Sequence, residues 1–232
     1  MKDLSALENT IEYRFKNRSL LQEALTHPSY ANEHPGLGIK DNQRLEFLGD
    51  SVLGTCVATM LFEKTNLPEG RMTKIRSLVV RSESLAQVAD SISLLDYMRF
   101  GQGEAKTGGK YKRSNAEDSM EALIGAIYLD SDFATAKAFV ETQLGDLLDR
   151  ALAGKLIYDY KSKVYEWVQS FDKHPDLRFE VVLEEGPAHD REFTVELLYK
   201  GKTCTEAKGK SIRQAEQEAS RLFLEEWAKT CD

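Results

Sequence analysis

A change of hydrophobic period near Gly154 constrains the fold more than any other feature of this chain. Before it, apolar residues recur at helical spacing almost throughout, with few β-branched runs; beyond it, stretches alternate with period two. A length of 232 residues leaves room for two small domains, each with its own core. The pattern therefore predicts an all-α domain over residues 1–154. After a short linker at Gly154-Lys155, a small α+β domain is expected over residues 159–232.

In the first part, the spacing predicts a helix through Leu20, Leu21, Ala24 and Leu25 that stops at His27-Pro28. The reason is that the residue before proline is disfavoured in the α region. Further helices are expected over 42–64, 71–80, 82–94, 116–129 and 133–153, with the glycine-rich, basic stretch 101–112 as a loop. The second part reads α-β-β-β-α: a helix over 160–171, strands over 178–183, 192–198 and 203–207, and a hairpin turn at Lys200-Gly201. Its last helix opens at Ser211, with Gln214 completing a capping box. The apolar stripe of that helix is Ile212, Ala215, Ala219, Leu222, Phe223 and Trp227.

Charge excludes a global attraction to nucleic acid. The net charge is −7, and from Asp159 onward 12 Lys+Arg face 16 Asp+Glu, so any phosphate contact must come from a local patch. Cys56, Cys204 and Cys231 are odd in number and not at zinc-ligand spacing. They read as thiols of a reducing compartment, which places the chain in the cytoplasm. The N-terminus lacks the apolar run of a signal peptide, and no stretch is expected to span a membrane.

Chemistry enters with two carboxylate pairs. Glu46 and Asp50 are four residues apart, Asp118 and Glu121 three apart, so each pair shares a helix face, with side-chain bases roughly 6 Å apart. Neither pair has a basic residue at helical spacing, and both helices are strongly apolar. Like charges beside a packed face are unfavourable unless something positive sits between them. Gly49, Gly54 and Gly125 would let the two helices approach closely, and all four acids would then converge. Hard oxygen donors of this kind suit Mg²⁺, with Mn²⁺ as a substitute, and phosphodiester hydrolysis.

The string Gln43-Arg-Leu-Glu-Phe-Leu-Gly-Asp-Ser-Val-Leu53 closely resembles the signature of the ribonuclease III family. Asp118-Ser-Met-Glu-Ala-Leu-Ile-Gly-Ala-Ile-Tyr-Leu-Asp130 resembles its second acidic motif. Leu25-Thr-His-Pro-Ser-Tyr30 with Asn32-Glu33, and Glu69-Gly-Arg-Met-Thr-Lys-Ile-Arg76, are similar to further family segments. By position, the resemblance implies metal ligands at Glu46, Asp118 and Glu121, with Asp50 completing the site and Asp50 and Glu121 essential to the chemistry. Glu69 matches an auxiliary acid near the cleavage point; on its own residues it is equally an exposed turn acid. The family implies a homodimer with one site per subunit, each cutting one strand of double-stranded RNA. Its products carry 5′-phosphate and 3′-hydroxyl ends, it processes rRNA precursors and structured transcripts, and it uses no small-molecule cofactor. Gln43 departs from the family's usual glutamate, and outer-shell or interface duty is expected to survive the change.

The α-β-β-β-α part resembles a double-stranded RNA-binding domain, which reads A-form shape over about 16 base pairs. Gly186-Pro-Ala-His189 is similar to its groove-entering loop, and Lys208, Lys210 and Arg213 match phosphate contacts near the start of the last helix. His189 is otherwise a solvated loop histidine. Two positions depart from the pattern. Ile212 replaces a basic residue and reads equally as core, and Tyr165 replaces a groove-facing glutamine. Two other functions fit the residues less well: a non-catalytic duplex-binding dimer, and a phosphohydrolase of small substrates.

Overall fold

The structure is a computed structural model that describes residues 3–156, 159–187 and 191–228. Contacts divide the chain into two compact units, Met1–Leu156 and Ile157–Asp232. The first is helical: α1 (Leu4–Thr10), α2 (Arg18–Ala24), α3 (Pro28–Glu33), α4 (Gln43–Lys64), α5 (Glu69–Val79), α6 (Ser82–Ser91), α7 (Gln102–Lys106), α8 (Arg113–Asp130) and α9 (Phe133–Leu152). The second holds α10 (Tyr160–Gln169), β1 (Leu177–Glu185), β2 (Glu192–Tyr199), β3 (Lys202–Gly209) and α11 (Ile212–Ala228).

The first unit is organised around α8, whose residues from Ala122 to Ile127 are apolar or glycine and all buried. A helix that is apolar on every side must be enclosed, and α8 packs against α2, α4, α6 and α9. Its closest neighbour is α4. A methyl group at Gly49 would stand 1.8 Å from the Glu121 carbonyl oxygen, and one at Gly125 would stand 2.3 Å from that of Leu45. Gly54, expected to share this approach, meets nothing within 4 Å. Gly49→Ala is therefore expected to destabilise the unit by about 1–3 kcal/mol or more, by forcing the helices apart. Gly54→Ala is expected to be neutral or slightly stabilising, as for glycine in an open helix interior. Thermal unfolding checks both, and equal midpoints for the two variants would contradict the crossing.

Other expectations are corrected in this unit. Pro28 does not merely end a helix: α2 stops at Ala24, and Pro28 opens α3 with His27 as its N-cap. The stretch 101–112 is not all loop, since it holds α7 and a 3-10 turn at Gly109–Tyr111. By length and composition alone, α4 is apolar enough to cross a membrane, contrary to the sequence reading. It is nonetheless a core helix, with Leu45, Val52, Leu53, Cys56, Val57, Met60 and Leu61 buried against its neighbours. Helix α1 was not anticipated.

The second unit is one antiparallel sheet in the order β1-β2-β3 with α10 and α11 against it. Val164, Val168, Leu177, Leu197, Ala207, Ala219 and Phe223 form its core. The turn Lys200-Gly201 has positive φ at both residues, the backbone twist that a two-residue hairpin needs. At α11, the Gln214 amide donates to the Ser211 hydroxyl at 3.2 Å, but the Gln214 side chain reaches back to the Lys210 amide rather than to that of Ser211. Of the expected stripe, Ala215, Ala219 and Phe223 are buried, while Ile212 is 43% exposed and is not core. The side chain of Trp227, together with His189 and Cys231, lies outside the described residues.

Candidate active site

The α4–α8 crossing sets the geometry of the acids. Glu46 is half-buried in the first turn of α4, and Asp50 is exposed one turn later. Gly49 between them touches the backbone of Glu121 on α8. Glu121 is only 9% exposed. Burial pushes its carboxyl up to about 8 from the ordinary 4.5, aided in turn by the negative charges of Asp50, Glu117, Glu46 and Asp118. Glu46 is raised by burial first, then by Asp118, Glu117 and Asp41. Asp118 is raised by burial and by Glu117. The crossing thus brings Glu46, Asp50, Asp118 and Glu121 into one electrostatic group, and among the described residues none of the four has an ion pair.

Two members escaped the sequence reading. Glu117 acts on all three raised acids, and Asp41 acts on Glu46. The signal for Glu117 was present, since it lies four residues before Glu121, the spacing that singled out Glu46 and Asp50. Within the described residues no three acidic, histidine or cysteine side chains stand at ligand spacing of one point. The donor chemistry still fits a hard cation: Mg²⁺ keeps several of its waters and takes one or two carboxylates, so no closed cage is required. A cation is also the partner that buried like charges lack.

Glu69 is not among the charges acting on Glu121. It stands exposed at the start of α5, accepts the Thr73 hydroxyl at 2.9 Å, and lines a cleft of about 490 Å³ with Phe62, Met72 and Arg76. Gln43 lines a different cleft, of about 630 Å³, with Leu20, Lys40, Arg44, Phe47 and Leu129. Beside it Phe47 is 80% exposed.

In the second unit Lys210 and Arg213 are exposed on either side of Ser211, at the start of α11. Lys208 is set apart from them. Ala207 and Gly209 are buried on the helix side of β3, so alternation turns Lys208 to the opposite face, opposite Thr194 and near Glu192 and Glu185. Tyr165 is half-buried; its hydroxyl donates to the Leu177 carbonyl at 3.3 Å and its ring packs near Phe179. Lys161 is engaged by Glu216 at 2.8 Å and lies over the Phe179 ring. Because Ile212 is exposed beside Arg213, Ile212→Lys is expected to leave stability unchanged. It should steepen the salt dependence of duplex binding by roughly one, as for one added phosphate contact. Binding titrations over a salt series check this; an unchanged slope would remove position 212 from the RNA surface.

The chain is thus a helical unit built around an acidic helix crossing, followed by an α-β-β-β-α unit. The family profile described as Ribonuclease-III-like matches residues 17–147, and the double-stranded RNA binding motif matches residues 160–226. The chain belongs to the ribonuclease III family. It is 41% identical to Ribonuclease 3 of Carboxydothermus hydrogenoformans over 97% of this chain and 95% of that one. It is 44% identical to Ribonuclease 3 of Symbiobacterium thermophilum over 91% and 89%. The crystal structure of the nuclease domain of ribonuclease III from Campylobacter jejuni is similar with a TM-score of 0.57 at 36% identity, covering 63% of this chain and 97% of that one. A second structure of that domain, described for flexibility in a region involved in dimer formation, has a TM-score of 0.56 at 37% identity over 62% of this chain and 99% of that one.

Proposed function

We propose that the chain is a homodimeric, Mg²⁺-dependent endoribonuclease that cuts double-stranded RNA, with residues 1–154 as catalytic and dimerisation domain and 159–232 as the duplex-binding domain. The observation that carries this reading is the burial of Glu121 among Asp50, Glu46, Glu117 and Asp118, with no ion pair to any of the four sequence-predicted acids among the described residues. Glu46, Asp118 and Glu121 would hold the metal, and Asp50, exposed at the same crossing, would face the scissile phosphate. When bound, the divalent ion supplies a water of lowered pKa and neutralises charge that develops on the phosphate.

The protein's own groups do the rest. Glu121, with its carboxyl raised to about 8, would hold a proton near neutral pH in the metal-free chain, and as a carboxylate it would be one of the groups that hold the ion. Gly49 and Gly125 keep the two pairs of acids facing one another. Lys210, Arg213 and the amides at the start of α11 bind phosphate oxygens without reading sequence. His189 would extend that contact, Lys208 would meet phosphate separately from the other face of β3, and Glu69 would be an auxiliary acid. Phe47, Leu129 and Phe62 are large apolar side chains exposed on α4 and α8, and they support pairing with a second copy. Two sites, each cutting one strand, would leave 5′-phosphate and 3′-hydroxyl ends with a short 3′ overhang. Precursor rRNA and other structured transcripts are the proposed substrates. The free thiols Cys56 and Cys204 support a reducing, cytoplasmic setting.

The test is one gel. A long duplex is incubated with the full chain in Mg²⁺, Mn²⁺ or EDTA, beside a single strand of the same sequence. Cleavage of the duplex alone, abolished by EDTA, is expected. Binding without cleavage in either metal would make the chain a duplex-binding dimer instead.

A further inference from the structure

The two helices of the second unit are joined through one side-chain amide. Gln217, half-buried on α11, turns its side-chain oxygen to the start of α10, where it accepts the Tyr160 amide at 2.7 Å and the Lys161 amide at 3.4 Å. Its amide nitrogen donates to the Asp159 carboxylate at 3.0 Å. Asp159 is the N-cap of α10: the same oxygen accepts the Ser162 amide at 3.1 Å, and its other oxygen accepts the Ser162 hydroxyl at 2.8 Å. Beside this joint, Glu216 holds the Lys161 ammonium at 2.8 Å.

A helix start leaves its first amides without partners inside the helix, and the residue at the cap ordinarily supplies the acceptor. Here Asp159 supplies one part of the cap, and a residue 57 positions from Tyr160 supplies the rest. The first turn of α10 is therefore complete only when it is docked on α11. With the Tyr160, Lys161 and Ser162 amides so occupied, the start of α10 offers none of them to a phosphate oxygen. What α10 presents outward is a polar face of exposed Ser162, Lys163, Glu166 and Gln169.

Arg213 lies four residues before Gln217, on the same face of α11 and about 6 Å along its axis. The joint thus sets the start of α10 one helical turn from a proposed phosphate contact. Duplex RNA is read by its A-form shape, through sugar hydroxyls and phosphates whose separations the duplex fixes. A module that meets such a ligand with two helices gains affinity when their spacing is set before binding.

We propose that Gln217 is a positioning residue for duplex binding: bonded to Asp159 and to the Tyr160 amide, it fixes the outer face of α10 relative to Lys210 and Arg213 at the start of α11, without itself touching RNA. This rests on the duplex-binding reading above. The core beneath does not depend on it, since Val164 and Val168 of α10 share one apolar cluster with Ala219 and Phe223 of α11. Opening the joint therefore frees the start of α10 while the unit stays folded.

The test uses the full-length chain in EDTA, where a short RNA duplex is bound and not cut. Gln217→Met keeps side-chain length and helix propensity and removes the hydrogen bonds. It is expected to weaken binding about tenfold, the loss when one or two side chains held in advance must be ordered on binding. The slope of log affinity against log salt should match the wild type, because no phosphate-facing cation is removed. Asp159 adds a test of sign, since removing an acid near an RNA surface strengthens binding by charge alone. Asp159→Asn, which keeps the oxygen that Gln217 and Ser162 share, is expected to retain wild-type affinity or exceed it. Asp159→Ala, which loses that oxygen, is expected to bind about tenfold more weakly, and its effect should not add to that of Gln217→Met. Wild-type affinity in Gln217→Met, or equal affinities in Asp159→Asn and Asp159→Ala, overturns the proposal. Where thermal unfolding shows that Gln217→Met has lost its fold, the Asp159 pair decides by the same criterion. Hydrogen exchange at the Tyr160 amide is expected to be slow in the wild type and fast in Gln217→Met; fast exchange in both overturns the proposal. Failure of the wild-type chain to bind any duplex defeats the duplex-binding reading and the proposal together, a result distinct from parity among the variants.

Discussion

Asp50→Asn and Glu121→Gln are each expected to lower duplex cleavage by about 10²–10³-fold or more while leaving duplex binding in EDTA unchanged. Both substitutions preserve size and helix propensity and remove only charge. Asp50 is exposed at the crossing, so its loss disturbs no packing and acts on the group it faces. Glu121 is buried, and its amide replacement keeps the volume that α4 and α8 enclose. The duplex-binding surface lies in the other unit and carries none of these acids, so affinity and cleavage should separate. Single-turnover rates and equilibrium binding on one duplex measure the two quantities. Near-normal cleavage by both variants would remove the acidic crossing from the mechanism.

The metal-free fold is expected to lose stability as pH rises from about 4.5 to about 8. Glu121 is the cause, because burial and its acidic neighbours raise its folded-state value to about 8 from an ordinary 4.5. Below the lower value both folded and unfolded chains are protonated there, and the group makes no difference. Between the two values the unfolded chain has released its proton while the folded chain keeps it. The folded state then binds more protons, so unfolding becomes easier with rising pH, at most by about 1.4 kcal/mol per unit. Summed over the window, the effect is on the order of 4–5 kcal/mol. Above about pH 8 the penalty is complete and the trend flattens. Added Mg²⁺ should raise the thermal midpoint more at pH 8 than at pH 5, since only the ionised cluster attracts it. Glu121→Gln should flatten the metal-free profile and be more stable than the wild type at pH 8, though far less active. Calorimetric or optical melts in EDTA across pH 4.5–8.5 check both statements. A wild-type midpoint that rises through this window would contradict the burial of an unpaired Glu121.

These expectations draw on different levels of organisation. The carboxylate pairs were legible because helix geometry is local: Glu46 with Asp50, and Asp118 with Glu121, share a face wherever the helix goes. The enclosure of α8 follows from the same local pattern, since its apolar run from Ala122 to Ile127 is buried on every side. The same rule would have found Glu117, had it been applied four residues before Glu121. The hairpin at Lys200-Gly201 and the cap at Ser211 were local signals of the same kind.

What the chain determined by itself is thus its two-part division, its longer helices and strands and the acids on each helix face, all set by contacts within a few residues; the short helices α1, α3 and α7 were not among them. Which small residues meet was decided only in the folded unit. Gly49 and Gly125 touch the opposing backbone while Gly54 faces open space, because a crossing depends on the angle between two whole helices. Likewise only tertiary packing left Ile212 exposed and turned the Tyr165 hydroxyl to the Leu177 carbonyl. Periodicity says which face a side chain occupies. Burial, and the identity of the partner brought from far along the chain, set its charge and its chemistry.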